Sequence, residues 1–361
     1  MEFDQEPKGA RVAVAMSGGV DSGVAAALLA QQGCDVVGVT MRLYSGGKDA
    51  VEDARRVADK IGIPHHVFDC ASEFSHSVID DFADSYLRGE TPVPCARCNQ
   101  RIKFGALLLK AREMGAEALA TGHYARRVMG AKGAELHRAA DQTRDQSYFL
   151  FATTQEQLAF LRFPLGGMRS KDDVRALAAR FDLPVASKPD SQDICFVPDG
   201  DYAGLVAKLR PGACAAGDIV DEQGRVLGRH EGIIHYTVGQ RRGLNFGRRG
   251  ENNAPLYVLR LDAERKLVVV GPRESLAQRE VFLREVNWLG DVVPEEGIGV
   301  SIKLRSAQPP LAAIFRMHDE GRGVVTLAEP AYGVAPGQAG VIYAGERVLG
   351  GGWIESQYPS V

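Results

Sequence analysis

Residues Ser17-Gly18-Gly19-Val20-Asp21-Ser22 constrain this chain more than any other stretch, because of what flanks them. A short apolar run, Arg11-Val-Ala-Val-Ala-Met16, precedes them, and an alanine-rich helical stretch, Val24 to Ala30, follows. A strand that hands over to a helix through two adjacent glycines predicts a parallel α/β unit with an anion site at the junction. Glycine lets the backbone approach an anion closely, and the serine hydroxyls and free amides of the helix N-terminus donate to phosphate oxygens. The loop lacks the lysine of a Walker loop. It is therefore expected to grip a pyrophosphate group without the usual apparatus for γ-phosphoryl transfer.

From Arg11 to about Val185, apolar strands alternate with amphipathic helices, which predicts a parallel sheet covered on both faces. Strands are expected at 12–16, 36–41, 66–69 and 118–120, and helices at 51–61, 102–114 and 171–181, with Gly115 closing the second of these and Ser170 with Asp173 opening the third. After about Leu209 the pattern changes: 218–227 reads as a hairpin turning near Gly224, and a glycine-rich loop runs on to Gly250. From about Val281, period-two strands take over; Val300, Ile302 and Leu304 alternate with Ser301, Lys303 and Arg305, and 311–316, 323–327 and 340–343 continue in that style. The expected architecture is an α/β domain with a parallel sheet (1–208), a small central β-rich domain (209–278) and a C-terminal β-barrel (279–361).

Composition excludes some classes. With 361 residues, 45% hydrophobic and 25% charged, the chain has the make-up of a globular protein of two or three domains. No apolar run approaches the roughly 18 residues needed to span a bilayer, and the polar, acidic start is unlike a signal peptide, so a cytoplasmic protein with no membrane partner is expected. A net charge of −3 does not advertise nucleic-acid binding, so local clusters carry that question. Arg97, Arg101 and Lys103 surround two cysteines, and Arg241, Arg242, Arg248 and Arg249 lie among Gly239, Gly243, Gly247 and Gly250, where an accessible backbone suits phosphate contact.

Six cysteines in such a chain are expected to be buried, catalytic or metal-bound rather than paired in structural disulfides. Cys34 and Cys70 end apolar segments and read as buried; Cys214 reads as structural. Cys95 and Cys98 form a C-x-x-C pair ahead of a helix for which Asn99 is the natural N-cap, which would put Cys98 at the helix N-terminus beside Arg97 and Arg101 and favour its thiolate. Zinc normally needs a second pair, and Cys195 and Cys214 are nineteen residues apart. Cys195 sits in a loop-like stretch, Asp190-Ser-Gln-Asp-Ile-Cys-Phe-Val-Pro198, flanked by apolar residues.

The S-G-G-x-D-S pattern resembles the PP-loop of ATP pyrophosphatases, in which ATP is attacked at its α-phosphate. With Cys98-Asn-Gln-Arg-Ile-Lys-Phe-Gly105, Ala120-Thr-Gly-His-Tyr-Ala125, Asp145-Gln-Ser-Tyr-Phe-Leu150, Asp193-Ile-Cys-Phe196 and His235-Tyr-Thr-Val-Gly-Gln-Arg-Arg-Gly243 in this order, the chain resembles the tRNA-specific 2-thiouridylases of the MnmA family over nearly its whole length. The resemblance implies a PP-loop domain of the adenine-nucleotide α-hydrolase-like kind. It implies ATP held by Ala15, Met16, Ser17, Gly18, Gly19, Val20, Asp21 and Ser22, by Met41 and by Gly122. It implies tRNA contacts at Val93, Pro94, Cys95, Arg144, Asp145, Gln146, Arg305 and Ser306, to which the arginine cluster adds Arg241 and Arg242. Cys98 matches the nucleophile and Cys195 the persulfide carrier, while His123 beside the nucleotide segment is expected to be structural.

The activity implied is ATP-dependent 2-thiolation of a wobble uridine through an adenylated base and a persulfide, with a cysteine desulfurase or sulfur-relay protein as donor. Magnesium is expected with ATP, and Asp21 is its candidate ligand. Two positions depart from the family pattern: Gly23 stands where serine is common, and Cys95 where many relatives have aspartate. Cys95 opens an alternative in which Cys95, Cys98 and Cys195 hold an iron–sulfur cluster; the persulfide pair, with Cys95 as a spare or resolving thiol, is the favoured reading. A lysidine-type tRNA ligase, an amidotransferase-type synthetase or a non-catalytic ATP-dependent tRNA-binding protein would need no such cysteine pair.

Overall fold

A computed structural model of the chain describes residues 8–44, 48–190, 193–197, 200–244, 254–318 and 321–356. Pro198, and Gly247, Arg248, Arg249 and Gly250 of the arginine-rich loop, lie outside the described residues.

The N-terminal part is built on five parallel strands: β1 (Arg11–Ala15), β2 (Asp35–Arg42), β3 (His65–Asp69), β4 (Ala118–Thr121) and β7 (Leu161–Arg162), in the order β3-β2-β1-β4-β7. β1 is central, and Val12, Ala13 and Val14 are fully buried, as expected of a strand covered on both faces. From β1 the chain builds outward through α1 (Val20–Gln32), β2 and α2 (Lys48–Ile61) to β3, then returns to the other side of β1 as β4. Strand order therefore reverses beside β1. The loops after β1 and β4 diverge there, which is where parallel sheets open a ligand crevice.

β5 (Ala125–Gly130) and β6 (Gly133–Arg138) form a hairpin that the strand patterns did not reveal. In the middle part, β8 (Gly217–Val220), β9 (Val226–His230), β10 (Tyr257–Asp262) and β11 (Leu267–Gly271) form a sheet in the order β10-β11-β8-β9, around Ile219, Val258, Val268 and Val270. The C-terminal strands are β12 (Ala277–Trp288), β13 (Ile298–Lys303), β14 (Leu311–Met317), β15 (Arg322–Tyr332), β16 (Ala339–Ala344) and β17 (Arg347–Ile354). Pairing of β12 with β17 closes these six into a barrel, and β17 also meets β6 at Arg347 and His137. The N-terminal hairpin is thus an extension of the barrel sheet.

One local expectation fails. The helix carrying the C-x-x-C pair begins at Pro94, not near Gln100: Pro94–Arg97 is α-helical, Cys98–Leu107 continues with the wider i→i+5 winding, and Leu108–Glu113 completes it. Proline at the first helical position has its φ preset and needs no N–H partner, so the helix starts there. Asn99 does not cap; it is buried, and its Nδ2 donates to the Phe149 carbonyl at 3.0 Å.

Candidate nucleotide and thiol site

The loop after β1 is shaped by close contacts. Gly18 has φ +71, and a Cβ there would lie 2.3 Å from the Ala50 carbonyl oxygen, so only glycine fits. Gly19 is the N-cap of α1 and carries no side chain to bond the first-turn amides, which leaves them to an incoming anion. The Ser17 N–H donates to Ser22 Oγ at 3.1 Å, and Ser22 Oγ donates to the Gly19 carbonyl at 3.2 Å, so the two serines hold the turn. The loop after β4 abuts it: a Cβ on Gly122 would lie 2.7 Å from the Ser22 nitrogen. At Gly23, a Cβ would meet Val57 at 3.3 Å, so the glycine lets α1 and α2 pack closely.

The cations missing from the loop come from elsewhere, which the sequence reading overlooked. Lys171, the first residue of the helix Lys171–Arg180, is 8% exposed and donates to both oxygens of Asp21 at 2.6 and 2.8 Å. It also pairs with Asp190 at 2.8 Å, while Tyr124 Oη donates to Asp21 at 2.8 Å. Burial would raise the Asp190 carboxyl, but Lys171, Arg144 and Arg175 together hold it below the ordinary carboxylate value. Lys188 Nζ donates to the Gly18 carbonyl at 3.0 Å and to Asp53 at 2.5 Å, and this hydrogen bond lowers the Asp53 carboxyl. No local spacing rule links residues 171 and 188 to a loop at 17–22; the fold alone brings them there.

Beside the nucleotide loop, His123 is half-buried among aromatic rings, edge-on to Phe104 and Phe163, with Nδ1 2.8 Å from Thr121 Oγ1. Burial, then the Lys103 charge, drives its pKa well below the usual value, so it is a neutral packing residue. Met41, at the end of β2, packs both against the sheet core and against the cluster containing Cys98, Cys70 and Phe74.

Cys98 is 8% exposed, while Cys95 and Cys195 reach solvent. The Cys195 turn is anchored by Phe196, whose ring meets Phe74 at 5.6 Å and Phe82 at 5.3 Å, and by Asp193, which accepts from Tyr202 Oη at 2.5 Å. The Cys195 thiol is pushed up to about 11 by burial and then by Cys98 and Cys95, so the three sulfurs share one electrostatic neighbourhood. Open to solvent yet crowded by protein, Cys95 and Cys195 lie as side chains do in a cleft.

The expectation of a ready thiolate at Cys98 is overturned. The residue lies inside the helix rather than at its N-terminus, and burial raises its thiol more than Lys103 lowers it. Arg97 and Arg101 are not its cations: Arg97 pairs with Glu285 of the barrel, and Arg101 donates to the Ser77 carbonyl. Lys103 takes that role. It follows Cys98 by five residues, the hydrogen-bond spacing of this winding, and so rises on the same side. Cys34 is half-buried, Cys70 is buried, and Cys214 is exposed rather than packed away.

The candidate tRNA contacts divide. Val93 and Pro94 are buried at the start of the thiol helix, with Cys95 open beside them. Arg144 is exposed and pairs with Asp190 at 3.0 Å. The Asp145 side chain is 1% exposed and is taken up by Arg138, Ser147 and the Ala139 amide, so its carboxylate is structural rather than presented to a ligand. Gln146 Oε1 accepts from the Tyr124 amide at 2.9 Å. Arg241 and Arg242 are exposed. Arg305 donates to the Gly333 carbonyl at 2.5 Å and lies against Gly239, which brings the exposed Ser306 corner of the barrel to the arginine-bearing loop.

Among the described residues, no group of three or more His, Cys, Asp or Glu side chains is arranged to hold a metal ion. Cys95, Cys98 and Cys195 are all among the described residues. No described helix is long and apolar enough to cross a membrane.

Three family profiles match in succession: the tRNA methyl transferase HUP domain over 10–199, the tRNA methyl transferase PRC-barrel domain over 208–272 and the aminomethyltransferase beta-barrel domain over 278–354. The chain is 61% identical to a tRNA-specific 2-thiouridylase MnmA of Rhodospirillum centenum over 98% of its own length and 93% of that protein. It is 59% identical to the protein of the same name from Paracoccus denitrificans, over 98% and 93%. With that of Ruegeria pomeroyi the identity is 56%, over 99% and 98%.

Proposed function

This chain belongs to the family of tRNA-specific 2-thiouridylases, and from that membership and the site's geometry we propose how it works. It is a tRNA-uridine 2-sulfurtransferase that uses ATP. The observations that carry the mechanism are a glycine-capped helix N-terminus after β1 and three thiols, Cys95, Cys98 and Cys195, that share one electrostatic neighbourhood. The amides from Gly19 to Ser22 hold the phosphates, with Ala15, Met16, Ser17 and Gly18 forming the cradle and Gly122 its opposite wall. Lys188 lines the mouth of the loop, and Lys171 neutralises Asp21 so that the anion meets no bare carboxylate. Magnesium bound to the nucleotide's own phosphates would offset their charge. Asp21, with both oxygens on Lys171, is not a free ligand for it.

The wobble uridine, flipped from the anticodon stack, presents its C2 oxygen to the α-phosphate, and pyrophosphate leaves. Terminal sulfur carried as a persulfide on Cys195 adds at C2 and AMP departs. Cys98 then attacks Cys195 Sγ, the sulfur bridge to the base breaks, and 2-thiouridine is released with a Cys98–Cys195 disulfide that a thiol reductant reopens. Lys103 steadies the thiolate that Cys98 must become. The exposed surface from Arg144 past Arg241, Arg242 and Ser306 receives tRNA phosphates, and a cysteine desulfurase or sulfur-relay protein loads Cys195. Free tRNA and six cysteines outside any disulfide suit a cytoplasmic site of action. The residue ranges 1–208, 209–278 and 279–361 serve as the catalytic, central and barrel domains.

Mass analysis of nucleosides from unmodified tRNA incubated with enzyme, ATP and a sulfur source tests the reading. 2-Thiouridine should form with the native chain and be lost in Cys98→Ala and Cys195→Ala. Undiminished product in either variant would refute the persulfide route.

A further inference from the structure

Arg97 stands between Cys95 and Cys98 in sequence, yet its side chain serves neither. At about 100° per residue, it points roughly 100° away from Cys98 and roughly 160° away from Cys95 around the helix. Its guanidinium is 6% exposed and donates to Glu285 through two parallel bonds, 2.6 and 2.9 Å. It also reaches Gln100 Oε1 at 3.0 Å and Asp81 at 3.5 Å, and it lies 4.0 Å over the Trp353 ring. A planar cation held by a two-point carboxylate on one edge and an aromatic face below has no rotational freedom left.

Glu285 and Trp353 both belong to the seam where β12 and β17 close the barrel. The register of that seam breaks between Arg284 and Asn287, and Glu285 within the break has φ +50. That conformation suits glycine or asparagine, and a glutamate persists in it only where surroundings hold it. What glutamate supplies there, and glycine would not, is the carboxylate on Arg97. The same seam reaches further toward the site: Arg284 bonds Glu90 at 3.1 Å, and Asn287 Nδ2 donates to the Phe151 and Thr153 carbonyls at 2.7 Å each.

We propose that Arg97 and Glu285 are positioning residues, a clamp by which the barrel seam fixes the rotation of the thiol helix so that Cys98 faces Cys195. The clamp rests on the sulfur-transfer reading above. It makes the barrel part of the active-site scaffold as well as a candidate tRNA surface. It also separates the two half-reactions, since nothing in it touches the phosphate loop.

The test compares native protein with Glu285→Gly, Glu285→Gln and Arg97→Lys, measuring pyrophosphate and 2-thiouridine from the same tRNA transcript, with a cysteine desulfurase and cysteine loading Cys195 as a persulfide and a thiol reductant reopening the disulfide. Glu285→Gly relieves the positive φ but strands the buried Arg97 guanidinium, so its melting temperature should fall, and all products are compared at a temperature where every variant remains folded. The ratio of pyrophosphate to 2-thiouridine should rise at least fivefold in all three variants with KM for ATP unchanged, because adenylation proceeds and transfer fails. Products that fall together, or do not fall, overturn the clamp. If the native protein makes no 2-thiouridine, the sulfur-transfer reading has failed instead, and iodoacetamide labelling of Cys98 then decides the clamp. A threefold or larger change of rate in Glu285→Gly, at matched pH, supports it; an unchanged rate refutes it.

Discussion

Replacing Lys171 with methionine keeps the length of the side chain and deletes the one charge that two carboxylates share. Asp21 and Asp190 would then face each other across an apolar tip, with Asp190 still paired to Arg144 and Arg175 but Asp21 left with only the Tyr124 hydroxyl. Stranding a fully buried charge costs about 3–5 kcal/mol. Asp21 is 32% and Asp190 21% exposed, so water recovers part of this, and about 2 kcal/mol is expected. In a domain of 150–250 residues that lowers Tm by roughly 4–8 °C. ATP affinity should fall on the order of tenfold, since an unneutralised carboxylate now borders the phosphate loop. Thermal unfolding and ATP titration of Lys171→Met, Asp21→Asn and the double variant give the coupling directly. The double variant should be more stable than the sum of the singles predicts, by about 1 kcal/mol or more. Strict additivity, or a Tm within a degree of native in Lys171→Met, would show that the buried lysine does not hold Asp21 in solution.

Other outcomes follow from the site. Because the Cys195 thiol sits near 11, its alkylation should quicken about tenfold per pH unit from 7 to 10; a plateau below pH 9 contradicts the crowding described. Labelled ATP should yield AMP and pyrophosphate in step with tRNA modification, and release of ADP would rule out attack at the α-phosphate. Arg241→Ala with Arg242→Ala should weaken tRNA binding, flatten its log–log salt slope by about 2 and spare ATP binding. His123 is depressed in the folded chain, so the unfolded chain binds an extra proton below about 6.5 and stability falls as pH drops through that value. His123→Gln should therefore show a smaller loss of Tm between pH 7 and 5 than the native chain.

The phosphate loop was legible because all its parts are adjacent: strand, two glycines and helix lie within one short stretch. Its lysines were not, since Lys171 and Lys188 meet Asp21 and Gly18 only after the other four strands of the parallel sheet, β2, β3, β4 and β7, have been laid beside β1. The helix start was misjudged for a different reason. Asn99 has the chemistry of a cap, but Pro94 sets the backbone five residues earlier, and burial then decides what Asn99 does. That single shift moves Cys98 from a helix end, where its thiolate would be favoured, to an interior turn, where it is not. The barrel's alternation was clear in Val300 to Arg305, whereas in the β5–β6 hairpin it is confined to Ala134 and Leu136 of β6, and the strand that hairpin meets, β17, is far along the chain.

The core beneath the sheet is not confined to the N-terminal part. Ala13, Val37 and Leu119 belong to the same apolar cluster as Phe151 and as Ala339, Val341, Tyr343 and Trp353 of the barrel, whereas Ile219, Tyr236, Val258 and Val270 form a separate cluster in the middle. Cooperativity should follow that grouping rather than the order of the chain. The two outer parts would open and close as one unit, with slowly exchanging amides in β1, β16 and β17 alike, while the part between them melts on its own. The segment bearing the exposed Arg241 and Arg242 can then loosen without slackening the hold on the thiol helix.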